Sequence, residues 1–345
     1  MPAFVAARHS FRLLFLLLLF SYAPKLHAGG PRRFALPAGQ SPVAVLTAGR
    51  QTYLVTEQGV FQCRGRQLVP RYQSAVPIRC ALATDSVLWL GTDQGLRGLN
   101  PRTGRSRPAL LPAPIAQAPI TTLFQGPDGA LWTGVPGYGA YRQPAGGAWE
   151  AALSIPTVNA GLSTVADSAV WLATNIGLYR QQHGQWTRYN EEGVGNHDIP
   201  DNIVERLLPD NAGNLWVLMS EGISVFPGAD QEEGAELPTV RFIGRAGNAV
   251  YGVAQLPGQG HVFATGMGLL LLPSQSADAL ASLATPATDR VESPQRLVPL
   301  RLARTPATPT LLQVDARRRI WLAGPEALTV WNGKQFRQAV RAAAQ

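Results

Sequence analysis

Side chains able to do chemistry are few in this chain, and they are scattered. Past residue 28 there are three histidines, His183, His197 and His261, and no two have the separation of zinc ligands. No metal site is expected. Asp198 and Asp201 form the nearest local pair of carboxylates and flank Pro200. Two placed carboxylates are what glycoside hydrolysis needs, but a turn accounts for this pair more simply. A loop histidine, His197 or His261, acting with an acid from another part of the chain would be the route to lyase chemistry. Gly126 to Gly129 lacks the Lys and the following helix of a phosphate cradle. No catalytic residue and no cofactor are therefore assigned.

Binding is better supplied than catalysis. Tyr138 and Tyr141, with Trp149, could stack on a sugar or grip a peptide, and Arg79 and Arg142 could add charge. The pointer is Gly137-Tyr138-Gly139, where an otherwise repeating phrase gains an extra residue. The two cysteines, Cys63 and Cys80, are close enough in sequence to close a small disulfide loop; two buried unpaired thiols are the other reading.

That repeating phrase fixes the elements that must carry these residues. An approach strand and a turn, often built on Asp and Gly, lead to an aromatic-led apolar strand, then Thr or Gly and a Gly-hydrophobic pair. Its anchors are Tyr53, Trp89, Trp132, Trp171, Trp216, Val262 (with Phe263 beside it) and Trp321, spaced 36 to 59 residues apart. Such spacing is that of propeller blades, and each module supplies about four short antiparallel strands. The expected fold is all-β, a seven-bladed β-propeller whose anchors pack between blades. Seven short-linked modules favour a closed ring over an open stack, which would need capped ends. Arg33 to Leu36 would add an outer strand to the last blade and fasten the circle. Asn332-Gly333, a strong hairpin signal, would turn the chain toward Gln335-Phe336. Cys63 then falls on an outer strand and Cys80 on an inner one. The interval from Val262 to Trp321 holds an irregular insertion at about 273–310, with a brief helix at Ser276 to Ala284.

The first 28 residues stand outside the repeat. Arg8 and Arg12 precede the apolar run Leu13 to Phe20, and Leu26-His27-Ala28 offers a small-residue exit, the order of a secretory signal peptide. Residues 29–345 would then form one propeller domain, in the periplasm or secreted, after cleavage near Ala28. Loss of Arg8, Arg12 and Lys25 lowers the formal charge from +8 to +5. The remaining basic character is almost all arginine, with clusters at Arg102, Arg105 and Arg107 and at Arg317 to Arg319. No aromatic platform is interleaved with them, so no nucleic-acid partner is expected.

Asp210-Asn211-Ala212-Gly213-Asn214-Leu215-Trp216-Val217 and Trp89-Leu90-Gly91-Thr92-Asp93-Gln94-Gly95-Leu96 resemble the two-component regulator propeller repeats of bacterial periplasmic sensors. The resemblance implies a sensory propeller that receives ligands such as carbohydrates, and it carries over no catalytic residue. The 14 residues after Trp331 leave no room for a phosphoacceptor helix or an ATP-binding domain, so a propeller without the kinase part is expected. The reading is a noncatalytic exported binding protein, sensor-like or assembly-related, monomeric, recognising a carbohydrate or protein through loops on a propeller face. Association with a separate membrane signalling or envelope protein would follow. The alternatives are a propeller enzyme with lyase or hydrolase chemistry on a glycan, and a structural envelope scaffold.

Overall fold

The computed structural model describes residues 30–165, 168–192, 199–219, 222–226, 239–240, 249–274 and 297–345. Their strands form seven four-stranded antiparallel sheets. Six sheets are simple meanders: blade one spans residues 42–73, blade two 78–108, blade three 122–153, blade four 160–189, blade five 204–240 and blade six 250–300. Blade seven takes three strands from residues 311–331, and its fourth is the N-terminal strand Arg32–Ala35, antiparallel to Ala327–Trp331. The first strands touch their neighbours in succession, and that of blade seven touches that of blade one. The ring is closed by the two ends of the chain.

Strand direction alternates within each blade, so the turns divide between two faces. Turns joining first to second and third to fourth strands lie on one face, here the lower. Turns joining second to third strands, and the connections between blades, lie on the upper.

The repeated phrase is explained by packing and by turns. Every anchor sits on a second strand, and all except the half-buried Trp89 are at most 3% exposed. Each is turned toward the following blade, so that seven separate apolar clusters fill the seven gaps. Val262 faces blade seven in this way, whereas Phe263 faces back and stacks edge-on against Trp216, with ring centroids 5.1 Å apart. The anchor of blade six is thus Val262 alone, because neighbouring residues of a strand point to opposite faces.

Three residues past the anchor, Thr56, Thr92, Thr174 and Thr265 occupy equivalent upper turns, and each hydroxyl donates to the carbonyl of the residue three further on. In the last three the same oxygen accepts an N–H from two residues on. The following glycine is required where the chain turns back: Gly177 has φ +119°, and a Cβ there would run into the Tyr189 carbonyl oxygen.

The chain end departs from the hairpin expected at Asn332-Gly333. Gly333–Ala343 is an α-helix, with Asn332 accepting the Lys334 N–H as its N-cap. The fourth-strand position beside Ala327–Trp331 is already taken by the N-terminus, and Phe336 with Val340, one turn apart, forms an apolar stripe. That stripe is completely buried in the gap between blades six and seven, where the small anchor Val262 leaves room. The helix expected at Ser276 to Ala284, most of the insertion, and the leader at residues 1–28 lie outside the described residues.

Candidate functional site

Four first strands carry a β-bulge near the upper mouth of the ring, in blades one, two, five and six. A bulge re-aims a side chain at such a rim. The extra residue in blade two is Arg79, that in blade five Glu205, and that in blade six Tyr251. Arg79 holds Asp93 of its own blade through two bonds of 2.7 and 2.8 Å and stands 3.6 Å from Glu57 on the neighbouring upper turn. The hydrogen bond from Arg79 keeps the Asp93 carboxyl below its ordinary range. The Arg206 guanidinium lies over the Tyr251 ring at 5.4 Å, bridging blades five and six. Glu205 and Tyr251 escaped the sequence reading because a bulge is visible there only as one surplus residue before the aligned strand.

The upper face also carries most of the exposed apolar side chains. Among the described residues five large apolar side chains are exposed, and four belong to the upper face: Leu110, Tyr138, Ile203 and Met267. Tyr138 stands on the upper turn of blade three and is 43% exposed; Met267 occupies the equivalent turn of blade six and Ile203 precedes the first strand of blade five.

The five expected ligand-binding residues divide. Tyr138 and Arg79 both reach the upper face. Tyr141 packs into the layer between blades two and three together with Trp149, which is only 8% exposed. Arg142 sits toward the lower face, its Nε 2.9 Å from Glu150 and a guanidinium nitrogen 3.9 Å from Asp128. These three do not join Tyr138 in one site. Alternation along Gly139–Gln143 and the descent of that strand carry them away from the upper turn.

The residues considered for catalysis are occupied otherwise. Asp201 accepts the Ile203 N–H as a turn cap, and His183 lies in a turn with φ +50°; His197 and Asp198 lie outside the described residues. His261 Nε2 is 3.4 Å from Asp210 Oδ2, with the His261 side chain 7% exposed and that of Asp210 fully buried. Asp210 spans the gap between blades five and six at the lower end. Its carboxylate accepts the backbone N–H groups of Ala212 and Asn214, the Asn214 amide, and the Trp216 indole at 3.0 Å. Burial would raise this carboxyl's pKa, but the nearby His261 ring and the bonds from Trp216 and Asn214 outweigh it and the net shift is downward. A carboxylate so fully bonded and enclosed is a structural clasp. Among the described residues no group of three or more His, Cys, Asp or Glu could hold a metal ion.

Both cysteines are free. Cys63, on the third strand of blade one, packs against the layer between blades seven and one; Cys80, on the first strand of blade two, contacts the Ile120 carbonyl between blades two and three. The disulfide considered from sequence is not formed, since the two thiols face different layers. Burial pushes Cys63 up to about 12 and raises Cys80 as well.

One cleft of about 160 Å³ opens on the lower face between blades one and two, lined by Gly49, Tyr53, Asp85, Asn100 and Arg102 among others. The Tyr53 hydroxyl inside it donates to Gln51.

No family model matches the chain, and no curated protein does. Solved structures match its fold. One is the extracellular domain of the BT4673 hybrid two component system from B. thetaiotaomicron, at TM-score 0.62 and 17% identity, covering 88% of this chain. The chain spans 40% of the length of that protein. A streptogramin B lyase aligns at TM-score 0.56 and 13% identity over 87% of this chain and 97% of the other. YCF48 bound to D1 peptide aligns at TM-score 0.56 and 13% identity over 89% and 96%. A sensor domain, a lyase and a peptide-bound protein thus share this architecture, and the chain is similar to each as a seven-bladed ring of four-stranded blades.

Proposed function

We propose that this is an exported, noncatalytic binding protein whose upper face takes up a carbohydrate or protein ligand. The observation that carries the reading is the placement on that face of four of the five large apolar side chains exposed among the described residues, with Arg79 on a bulge of the same face. Apolar and aromatic groups with a few convergent polar ones are the usual make-up of a recognition surface on a rigid scaffold. Export rests on the leader, residues 1–28, with processing near Ala28 and residence in the periplasm or medium. The BT4673 likeness supports a sensory role in which a separate membrane signalling protein receives the bound state.

The test is a screen of soluble glycans and synthetic peptides for both binding and turnover by the purified protein. Saturable binding without product is expected, weakened about tenfold or more by Tyr138→Ala if the ring stacks on the ligand. Clear turnover of any glycan would replace this reading with the enzyme.

A further inference from the structure

The cleft on the lower face lies outside the upper-face reading, and the repeat explains why it opens between blades one and two. Five of the seven anchors are tryptophans, whereas blade one has the smaller Tyr53. In blades five and seven a turn of five residues, Asp210 to Asn214 and Asp315 to Arg319, brings an aspartate onto the anchor's indole. In blade one Ala48 pairs with Gln51, so that Gly49 and Arg50 alone make the turn, and Thr47 stands where the aspartate would be. The gap beside the other small anchor, Val262, is filled by Phe336 and Val340 of the C-terminal helix. The gap beside Tyr53 stays open as the cleft of about 160 Å³.

The turn that forms one wall is held firmly. Asn100 Oδ1 accepts the Arg102 and Thr103 N–H groups at 3.0 and 3.1 Å, which leaves the Asn100 amide N–H groups to donate. Gly104, at φ +73°, lies so near blade one that a Cβ there would come within 2.6 Å of the Arg71 carbonyl oxygen. At the floor the Tyr53 hydroxyl gives its proton to Gln51 and keeps its oxygen as an acceptor. Burial raises the pKa of this hydroxyl while the charges of Arg71 and Arg102 pull it down, so both guanidinium groups act on the cleft. Arg71 is bonded to Gln62. Arg102 and Asp85, on the two lower turns of blade two, both line the cleft and pair neither with each other nor with any other described residue.

We propose that this cleft binds a free α-amino acid, with its carboxylate on Arg102 and the Asn100 amide and its ammonium on Asp85. The volume is well below the roughly 300–1,000 Å³ of sites for drug-sized molecules, so the occupant is one small molecule and not a stretch of glycan or peptide. Opposite full charges in so small a space select its class. A neutral sugar would bond to them and neutralise neither, whereas a zwitterion meets both, and bonds to ionised groups are roughly twice as strong as neutral ones. One cation stands against one anion, so the recognition is local to the cleft.

Isothermal titration calorimetry of the full chain with the common free L-amino acids tests this, together with the amide and N-acetyl derivatives of the best binder and a set of monosaccharides. Saturable binding of at least one amino acid is expected. It should weaken about tenfold or more when either end of the ligand is blocked, and to a similar degree in Arg102→Gln and in Asp85→Asn. Arg105→Gln removes the same charge from the same turn outside the cleft, and Tyr138→Ala alters only the upper face; both should leave the affinity within about twofold. All four side chains are exposed, and circular dichroism checks that each variant folds. Equal affinity for the blocked derivatives would overturn the zwitterion. Binding untouched by Arg102→Gln and Asp85→Asn, or lost in Tyr138→Ala, would overturn the cleft as its place. A monosaccharide bound there instead, or no amino acid bound at millimolar concentration, would overturn the proposal outright. The glycan and peptide screen is scored separately, since Arg102→Gln and Asp85→Asn leave the upper face as it is.

Discussion

Asp210 and Asp315 share one place in the repeat, six residues before the anchor tryptophan, and each accepts that tryptophan's indole N–H while capping its turn. Blade three shows what the acid supplies. There the same place is held by Gly126, the Trp132 indole N–H has no partner, and a Cβ on Gly126 would come within 2.6 Å of it. Asp210→Ala removes bonds to two backbone amides, Asn214 and Trp216 and leaves His261 without its acid; it should cost about 3 kcal/mol, read from the shift in the urea midpoint. The pH dependence has a definite sign. Both carboxyls are lowered in the folded protein, so each binds its proton more readily when unfolded. The stability they add is present above the unfolded carboxyl range, about pH 4, and is lost as pH falls through the lower folded values. Urea unfolding at pH 7 and pH 3 should therefore show a larger loss for the native sequence than for Asp210→Ala. The buried thiols give a simpler expectation: at pH 8 neither Cys63 nor Cys80 should be alkylated appreciably in the folded protein, and both should be once it is unfolded, as mass spectrometry would show. Much of this scale was legible, since the Asp-rich turn, the aromatic anchor and the Thr-x-x-Gly step all recur in the sequence. The Phe263 direction was not, because adjacent apolar residues can be assigned to faces only when the register is known.

Single elements decide how the ring is completed, and here the sequence spoke less clearly. Asn-Gly before Gln335 serves a tight hairpin as well as it serves a capped helix. The choice fell to the helix because the N-terminal strand holds the outer place and Phe336 and Val340 fill the gap beside Val262. Phe336→Ala should lower stability by about 3–4 kcal/mol in urea titration, and Lys334→Ala, on the exposed side, by less than about 0.5 kcal/mol. Phe34 is the corresponding plug at the other chain end, 1% exposed in the layer between blades seven and one. Phe34→Ala should cost a similar 3–4 kcal/mol. The candidate binding residues were legible as types but not as a constellation: Tyr138 and Arg79 come from turns and strand starts of the upper face, whereas Tyr141, Trp149 and Arg142 lie along one descending strand and the turn that follows it. Sequence proximity joined what strand alternation separates.

At the scale of the whole molecule, the repeat predicts seven blades and closure through the N-terminal strand, and both are present. What a linear reading could not supply is the division of the surface. Four of the five large apolar side chains exposed among the described residues gather on one face only after alternate turns are sorted to opposite ends. Removal of residues 30–36 would expose the edge of Ala327–Trp331 and uncover the seventh layer; the midpoint of thermal unfolding should fall by several degrees, and the apolar dye ANS should bind the folded state. The strand Arg32–Ala35 also imposes an order in time. It is among the first residues of the fold to be synthesised, yet its partner strand is among the last, nearly 300 residues later. Blades one to six can assemble as they emerge, but the first-made strand must wait, unpaired, for Ala327–Trp331 of blade seven. A protein closed in this way reaches its native ring only after its seventh blade has been made, so that ring closure is the last step of its folding rather than the first.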